Sequence, residues 1–402
     1  MNGTRTQLGV SKALLAVGVI AFAASLAMGQ AERAWQAFLL NFLFWTGIAQ
    51  CGVVFAAAYQ VAKGGWSDAF RRMGESLVFY LPVSLVLFVL MMIFGARSVF
   101  VWAREPLAGA KGVWLSVPFV TARDLFVLAA VFAISAVYVY YSERPALFAA
   151  VSAGAVPRSK LIERWIEGAG APGDAERCRR HTRTLAPVLL IAFGLGYSLI
   201  GFDLIMSLDP AWYSTLFGWY FFVSAFYSAL ALLAIAAAVF HRSWGLEHHL
   251  TAIESHDFGK LLFGFCLLTG GLFWAQWLVF WYGDLPEEVG FVIHRYYRMP
   301  WAPLAWIMTY GAFIVPLVVL LSKNLKKHRN RLMVVACWIL AMLWLERYVW
   351  IVPSIWKGNG APLVIEALIT AGFLGGFGWG WMAHNRRIPV AAISALPAQG
   401  SH

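Results

Sequence analysis

Apolar residues fall into ten long runs along the chain, and mostly short polar segments separate them. Each run approaches the roughly 20 residues that a helix needs to cross the hydrocarbon core of a bilayer. Within lipid, backbone polar groups must be satisfied inside each segment, which favours helices. The pattern predicts an all-α integral membrane protein with about ten transmembrane helices, at residues 12–30, 35–62, 74–96, 124–142, 185–206, 214–241, 258–283, 301–322, 331–352 and 363–384.

The connections between these runs leave no room for a soluble domain. Two of them are longer: 97–123 is expected to hold an interfacial segment, and 142–184 a short amphipathic helix followed by a flexible turn. The first run also resembles a secretory signal peptide, so its cleavage is the alternative to a retained first helix. We predict a single polytopic membrane domain over residues 1–402, with two helices in 12–62, three in 74–206, four in 214–352 and one in 363–384.

Basic residues set the expected orientation in the membrane. With the N-terminus in the cytoplasm, 22 of the 31 Lys and Arg residues lie in cytoplasmic segments, 8 lie in external segments, and Arg347 lies inside a span. Cytoplasmic loops normally carry such an excess. The chain is therefore predicted to cross a bacterial inner (cytoplasmic) membrane with both termini in the cytoplasm.

Composition excludes several classes of protein. Charged residues make up 13% of the chain, against about 25% in soluble domains. The net charge of +11 lies in loops between apolar runs and not on a nucleic-acid-binding face. The four cysteines lack metal-ligand spacing, and the nine histidines lie outside the interior of the spans, where a transmembrane haem would need them. We expect no metal, no redox cofactor and no nucleic-acid partner for this chain, and burial for Cys51, Cys266 and Cys337.

Ionisable residues inside the predicted spans each require an explanation, since a charge at a helix centre costs at least about 2.5–3.5 kcal/mol. They form two layers with an almost uncharged layer between them. On the external side lie Asp124, Asp203, Glu346, Arg347 and Glu366, and on the cytoplasmic side lie Arg71, Arg72, Glu75, Asp257 and Lys260, with Tyr80 slightly deeper. Two interpretations remain open. The layers are either two proton half-channels separated by a gate, or ion pairs near the helix ends.

Two further patterns predict how the helices pack. GVVFAAAYQVAKGGW in the second run is similar to ALLAIAAAVFHRSW in the sixth, which indicates a parallel internal repeat because four helices separate the copies. The glycines of TAGFLGGFGWGW, residues 370–381, predict that the last helix packs closely against a neighbour. Small residues allow two helix backbones to approach each other.

Two external segments carry a resemblance to a known family. They are DLIMSLDPAWYSTLFGWYFF after the fifth run and WAQWLVFWYGDLPEEVGFVIHRYYRMPW after the seventh. Together with NFLFWTGIAQCGVVFAA and ESLVFYLP, they resemble the ActF subunits of alternative complex III, which belong to the NrfD/PsrC-like membrane subunits of quinone-linked oxidoreductases. The resemblance covers about residues 35–355.

This resemblance implies two four-helix bundles with the first and last helices peripheral. It also implies a cofactor-free, non-redox subunit of a quinol:cytochrome c (or other electron acceptor) oxidoreductase complex, not catalytic alone, with a transmembrane proton path as a candidate role. Quinol is a candidate ligand, and haem c and iron–sulfur clusters belong to the partners. Those partners are a second NrfD-like (ActC-like) subunit, an iron–sulfur protein, multihaem and monohaem cytochromes c, and lipids.

The depth and charge of the ionisable residues suggest candidate roles for them in such a complex. Asp203, Glu346, Arg347 and Glu366 are candidates for an external proton branch, and Arg72, Glu75, Tyr80 and Lys260 for a cytoplasmic one. Asp124 is a candidate for a quinol-like pocket, and Glu287 and Glu288 of the LPEE loop for contact with a periplasmic partner. A purely structural anchor remains an alternative. A secondary transporter is less favoured because the repeat is parallel and the middle layer lacks charge.

Overall fold

A computed structural model describes residues 2–356, 358 and 363–394, with all of their side chains except those of residues 2–5 and 287. Among these residues, ten helices are long and apolar enough to cross a membrane. The prediction of an all-α membrane protein with ten spans is confirmed. The spans are α1 (Asn2–Ala27), α2 (Ala31–Val61), α3 (Asp68–Val99), α4 (Val117–Ser152), α5 (Asp174–Leu208), α6 (Phe217–Val239), α7 (Ala252–Gly283), α8 (Trp301–Leu320), α9 (Arg329–Ile355) and α10 (Val364–Arg387).

Helices α2 and α6 form the centre of the molecule, and they are the two most deeply buried spans. Helix α2 packs with α3, α4 and α5, whereas α6 packs with α7 and α9, and α8 lies against α7 and α9. The two groups join where α2 and α5 contact α6. Helices α1 and α10 pair with each other beside α2. The predicted pair of four-helix bundles with two peripheral helices is therefore confirmed.

Short helices occupy several of the connections. The end of the molecule where α1 begins and α10 ends is called the terminal end here, and the other is the opposite end. At the opposite end lie three short helices, and at the terminal end another three: Val101–Arg104, Gly109–Trp114 and Pro286–Tyr296, and then Lys160–Trp165, Lys323–Lys327 and Val390–Ser394. None of these is long enough to span a bilayer, since a helix rises only about 1.5 Å per residue.

Three expectations about local structure are wrong. Helix α4 does not end at residue 142 but continues through Pro145 to Ser152, because Arg72 of α3 donates to the carbonyl of Ser142 and holds this turn against the bundle. The LPEE segment is not a loop but begins the helix Pro286–Tyr296, where proline at the first position and acidic residues in the first turn favour a helix start. Cys337 is exposed on the outer surface of α9 and not buried.

The glycines of α10 make the predicted close contact with a neighbour, and that neighbour is α1. A Cβ added to Gly372 would lie 2.5 Å from the Cα of Gly18, and one added to Gly375 would lie 2.5 Å from the carbonyl oxygen of Ser11. The two backbones are therefore in direct contact, as small residues allow. This contact makes α1 an integral part of the fold.

We expect Gly18→Ala to separate α1 from α10, because its added methyl group would overlap the Cα of Gly372. Overpacking of this kind typically costs about 1–3 kcal/mol. The matched control is Gly9→Ala on the same helix, where an added Cβ meets nothing within 4 Å. The measurement is disulfide cross-linking of the pair Ser11→Cys and Gly378→Cys. The yield should fall with Gly18→Ala and stay constant with Gly9→Ala, and equal yields in both would contradict the close packing.

Candidate functional site

A buried cluster of two carboxyl groups and one arginine joins α4 and α5 at the opposite end. Arg123 reaches Asp203 with Nη2 2.7 Å and Nε 2.9 Å from Oδ2, and its Nε lies 3.9 Å from Oδ1 of Asp124. Both aspartates are almost completely buried. No hydrogen-bond donor among the described residues reaches either carboxyl oxygen of Asp124. Asp124 lies beside Asp203, at hydrogen-bonding range if one of the two carboxyl groups carries a proton.

A second buried cluster joins α3 and α4 at the terminal end. Arg71 donates to Oε1 of Glu75 at 2.8 Å, and Arg72 donates to Oε2 at 2.9 Å. The hydroxyl of Ser142 on α4 also donates to Oε1, at 2.6 Å. Glu75 therefore accepts hydrogen bonds from three donors, two of which are arginines. Like Asp203 at the other end, it is a buried acid with a cationic partner.

Glu143 lies next to this terminal cluster and has no such partner. Its side chain is buried, and neither carboxyl oxygen accepts a hydrogen bond from any described residue. Glu75, Arg72 and Arg71 act on it electrostatically. An ionised carboxylate without donors is costly to bury, and this cost favours the neutral, proton-carrying form of Glu143. Asp124 likewise accepts no hydrogen bond from any described residue, although Arg123 lies 3.9 Å from its Oδ1.

The sequence analysis did not identify Glu143, which lies in the segment SERP (residues 142–145), just beyond the predicted end of the fourth span. Polar residues followed by a proline indicate the start of a solvent-exposed loop. The spacing of residues after Asp124 does indicate that the helix continues to Glu143. The residues Asp124, Leu128, Val131, Ser135, Tyr138 and Ser142 recur every three or four positions, and Glu143 follows directly on this face.

Helix α4 thus carries a buried, donor-free carboxyl group near each of its ends. At a rise of about 1.5 Å per residue, Asp124 and Glu143 are about 28 Å apart along the helix, close to the ~30 Å thickness of a hydrocarbon core. Between them, Ser135 exchanges hydrogen bonds with Gln50 of α2 at 2.9 and 3.2 Å. Buried Leu128 separates this polar pair from Asp124.

A third buried ionic group, at the contact of α6 and α9, lies in the second bundle. Tyr220 and Ser224 donate their hydroxyl groups to the two oxygens of Glu346, and Arg347 donates to Oε2 at 2.7 Å. Arg347 also donates to the carbonyl of Phe221 at 3.2 Å. Both charged side chains are essentially fully buried. Breaking such a pair leaves one uncompensated charge in the protein interior.

Glu366 is the acid of a fourth group, which joins α10 to α2 at the opposite end. Arg33 lies 3.1 Å from Oε2 and 3.3 Å from Oε1 of Glu366, and Gln36 donates to Oε1 at 3.1 Å. Asn41, further along α2, donates to the hydroxyl of Thr370 at 2.9 Å. This group therefore attaches a peripheral helix to the centre of the molecule.

The remaining candidates lie outside these groups. Lys260 is exposed and pairs with Asp257 at 2.6 Å instead of with Glu75. Tyr80 is buried among the aromatic rings of Phe79 and Phe377. Glu288 lies partly buried in the first turn of the helix Pro286–Tyr296, and the side chain of Glu287 lies outside the described part of the chain.

The fold and these clusters define a polytopic membrane protein with buried carboxyl groups near both ends of its first bundle. A family model described as "Polysulphide reductase, NrfD" matches residues 26–357. Because the match covers most of the chain, the protein belongs to the NrfD family. Members of this family are membrane subunits of oxidoreductase complexes, and they typically partner with iron–sulfur and other redox subunits. A search of curated proteins gave no match to the chain.

Proposed function

We propose that this chain is a cofactor-free, ActF-like subunit of a quinol:cytochrome c (or other electron acceptor) oxidoreductase, and that its first bundle conducts protons. One observation carries the proton path. Helix α4 holds a donor-free buried carboxyl group near each end, Asp124 and Glu143, each beside an acid that has an arginine partner. A purely structural bundle gains nothing from burying such groups, since each costs free energy.

The arrangement supplies the parts of two half-channels. With the termini in the cytoplasm of a bacterium, Glu143 and Glu75 accept protons from the cytoplasmic side, and Asp124 and Asp203 release them on the other side. The pair of Gln50 and Ser135 lies between the two ends. The apolar stretch at Leu128 and Val131 interrupts the polar chain, so a proton crosses it only when this stretch rearranges.

The proposed partners supply the redox chemistry. They are a second NrfD-like subunit, an iron–sulfur protein and multihaem and monohaem cytochromes c, in which the clusters and haems reside. Electron transfer in those partners would drive the rearrangement near Leu128. The neutral forms of Asp124 and Glu143 provide the protons that move when it occurs.

Purification through a tag on this chain, in mild detergent, tests the assembly. Mass spectrometry should find an iron–sulfur protein, c-type cytochromes and a second NrfD-like subunit, and a reduced-minus-oxidised spectrum should show haem c. A colourless protein that is purified alone and stays folded would contradict the assembly and favour a transporter. Neutralising Asp124 and Glu143 in the purified complex tests the proton path separately.

A structural anchor is the second candidate function, and one observation favours it. Glu75, Asp203, Glu346 and Glu366 all have arginine partners within 3.1 Å. Ion pairs of this kind explain these four acids without any proton transfer. They leave Asp124 and Glu143 unexplained, and those two residues therefore distinguish the two functions.

A further inference from the structure

Arg295 is a buried cation at the opposite end of the second bundle, in the short helix Pro286–Tyr296. The residue is only 2% exposed. All of the hydrogen bonds described for its guanidinium go to uncharged groups, namely the hydroxyl of Ser354 and, at 2.9–3.1 Å, the carbonyls of Phe291, Val349 and Trp350. These contacts satisfy N–H donors but leave the positive charge uncompensated.

Part of this arrangement has a structural reason. Pro353 of α9 has no backbone N–H, so the carbonyl of Val349, four residues earlier, cannot accept the usual helical hydrogen bond. Nε of Arg295 donates to that carbonyl instead, at 3.0 Å. A neutral donor would serve the carbonyl as well, and the charge of the guanidinium therefore requires a separate explanation.

The charge of Arg295 has no close counterpart among the described side chains. Asp209 acts on it electrostatically but forms no ion pair with it. Burial lowers the pKa of Arg295 to about 9, and the guanidinium is still charged at neutral pH. A buried charge without a partner destabilises a protein strongly. An anion held beside Arg295 would offset that cost.

A cavity of about 40 Å³ lies beside this charge. It is enclosed by α6, α7, α9, the helix Pro286–Tyr296 and the segment that joins α5 to α6, and its wall includes Arg295 together with Trp212, Tyr220, Gln276 and Tyr296. A water molecule needs about 10–15 Å³ of such volume. The cavity therefore has room for one small ion and a little water.

The polar groups on the cavity wall are suited to an anion. The indole N–H of Trp212 is buried and has no acceptor among the described residues. A guanidinium has five N–H groups, and the contacts of Arg295 use four of them. The amide of Gln276 can donate as well. No carboxylate is among the described residues of this wall.

The nearby acid of the second bundle does not oppose an anion here. The carboxylate of Glu346 lies on the far side of Tyr220, whose hydroxyl donates to it. Its charge is compensated by Arg347, which donates to Oε2 at 2.7 Å. Arg295 is therefore left as the uncompensated charge beside the cavity.

We propose that this cavity binds a chloride ion, which compensates the charge of Arg295 and accepts a hydrogen bond from Trp212. A monovalent anion matches a single positive charge, and chloride is only slightly larger than a water molecule. Sulfate and phosphate carry several oxygens around a central atom and are too large. Water alone is the alternative occupant, and it would satisfy Trp212 but not the charge.

Isothermal titration calorimetry with sodium chloride tests the proposal on the full chain in mild detergent at neutral pH. The protein is kept in sodium gluconate, which holds the ionic strength constant and is too large for the cavity. We expect saturable binding of one ion per chain, with competition by bromide and none by sulfate. Heat that does not saturate would mean that water fills the cavity, and it would overturn the proposal.

Trp212→Phe removes the indole N–H but keeps an aromatic ring against Phe291, on which Trp212 stacks with centroids 3.8 Å apart. It should weaken chloride binding about fivefold, which corresponds to the roughly 1 kcal/mol of one hydrogen bond. The matched control is Trp281→Phe, since Trp281 is exposed and does not line the cavity. The control should change the affinity less than twofold.

Arg295→Gln removes the charge and should abolish chloride binding, whereas Arg298→Gln, at an exposed position three residues later, should retain it. If Arg295→Gln fails to fold, Trp212→Phe still decides. Unchanged chloride affinity in Trp212→Phe, or competition by sulfate as strong as that by bromide, would overturn the proposal. The assay needs neither partner subunits nor proton transfer, so its failure leaves the proposed function standing.

Discussion

Asp124→Asn is expected to stop proton transfer through the first bundle while the complex remains assembled. The amide has nearly the shape of the neutral carboxyl group, and it can donate to the neighbouring Asp203, so the fold should be kept. It cannot release a proton. Loss of a positioned proton carrier should slow transfer by on the order of 100-fold. Glu143→Gln, at the other end of α4, should give the same loss.

The measurement is the number of protons moved per electron by the purified complex in liposomes, with quinol as the electron donor and a trapped pH indicator. Each variant has a matched control with an exposed side chain. Asp284→Asn lies at the opposite end and Glu163→Gln at the terminal end. Unchanged stoichiometry in both Asp124→Asn and Glu143→Gln would refute the proton path and leave the structural anchor.

The overall fold could be predicted from the sequence because lipid imposes one strong rule. Every span must be a helix of a certain length, and the apolar runs show this directly. The close packing of α10 against a neighbour could also be predicted from its glycines, but the sequence did not indicate that this neighbour is α1. The ends of helices were less predictable. Helix α4 was expected to end at residue 142, but it continues to Ser152, and Arg72 holds the turn at Ser142 against the bundle.

The composition of the clusters could not be predicted, because their members come from different helices. Asp203 and Glu366 have no cation nearby in sequence, yet Arg123 and Arg33 pair with them from α4 and α2. The sequence indicated how deep each ionisable residue lies in the membrane, but it did not indicate which residues form ion pairs. Lys260 shows the opposite case: its depth suggested a channel, but its side chain is exposed beside Asp257.

Two glutamates that the sequence analysis placed in the same loop differ in their burial. Glu143 and Glu163 both fall in the predicted loop 142–184, but Glu143 is buried and Glu163 is exposed. The tertiary contacts that α4 makes with α3 and with the helix Val390–Ser394 account for this difference.

Arg347→Leu is expected to destabilise the second bundle by about 3–5 kcal/mol, because it leaves Glu346 buried with its charge uncompensated. Tyr220 and Ser224 would still donate to that carboxylate, but neither is a cation. The double variant Glu346→Gln, Arg347→Leu removes the charge as well. It should recover most of the loss, since replacing a whole buried ion pair is often close to neutral.

The free energy of unfolding is measured by titration with sodium dodecyl sulfate in mixed micelles. Arg104→Leu is the control, because Arg104 pairs with Glu32 at 2.7 Å on the exposed surface, where such pairs contribute at most about 1 kcal/mol. A loss for Arg347→Leu no larger than for Arg104→Leu would mean that Glu346 is neutral in the native protein. Glu346 would then become a further candidate proton carrier beside Asp124 and Glu143.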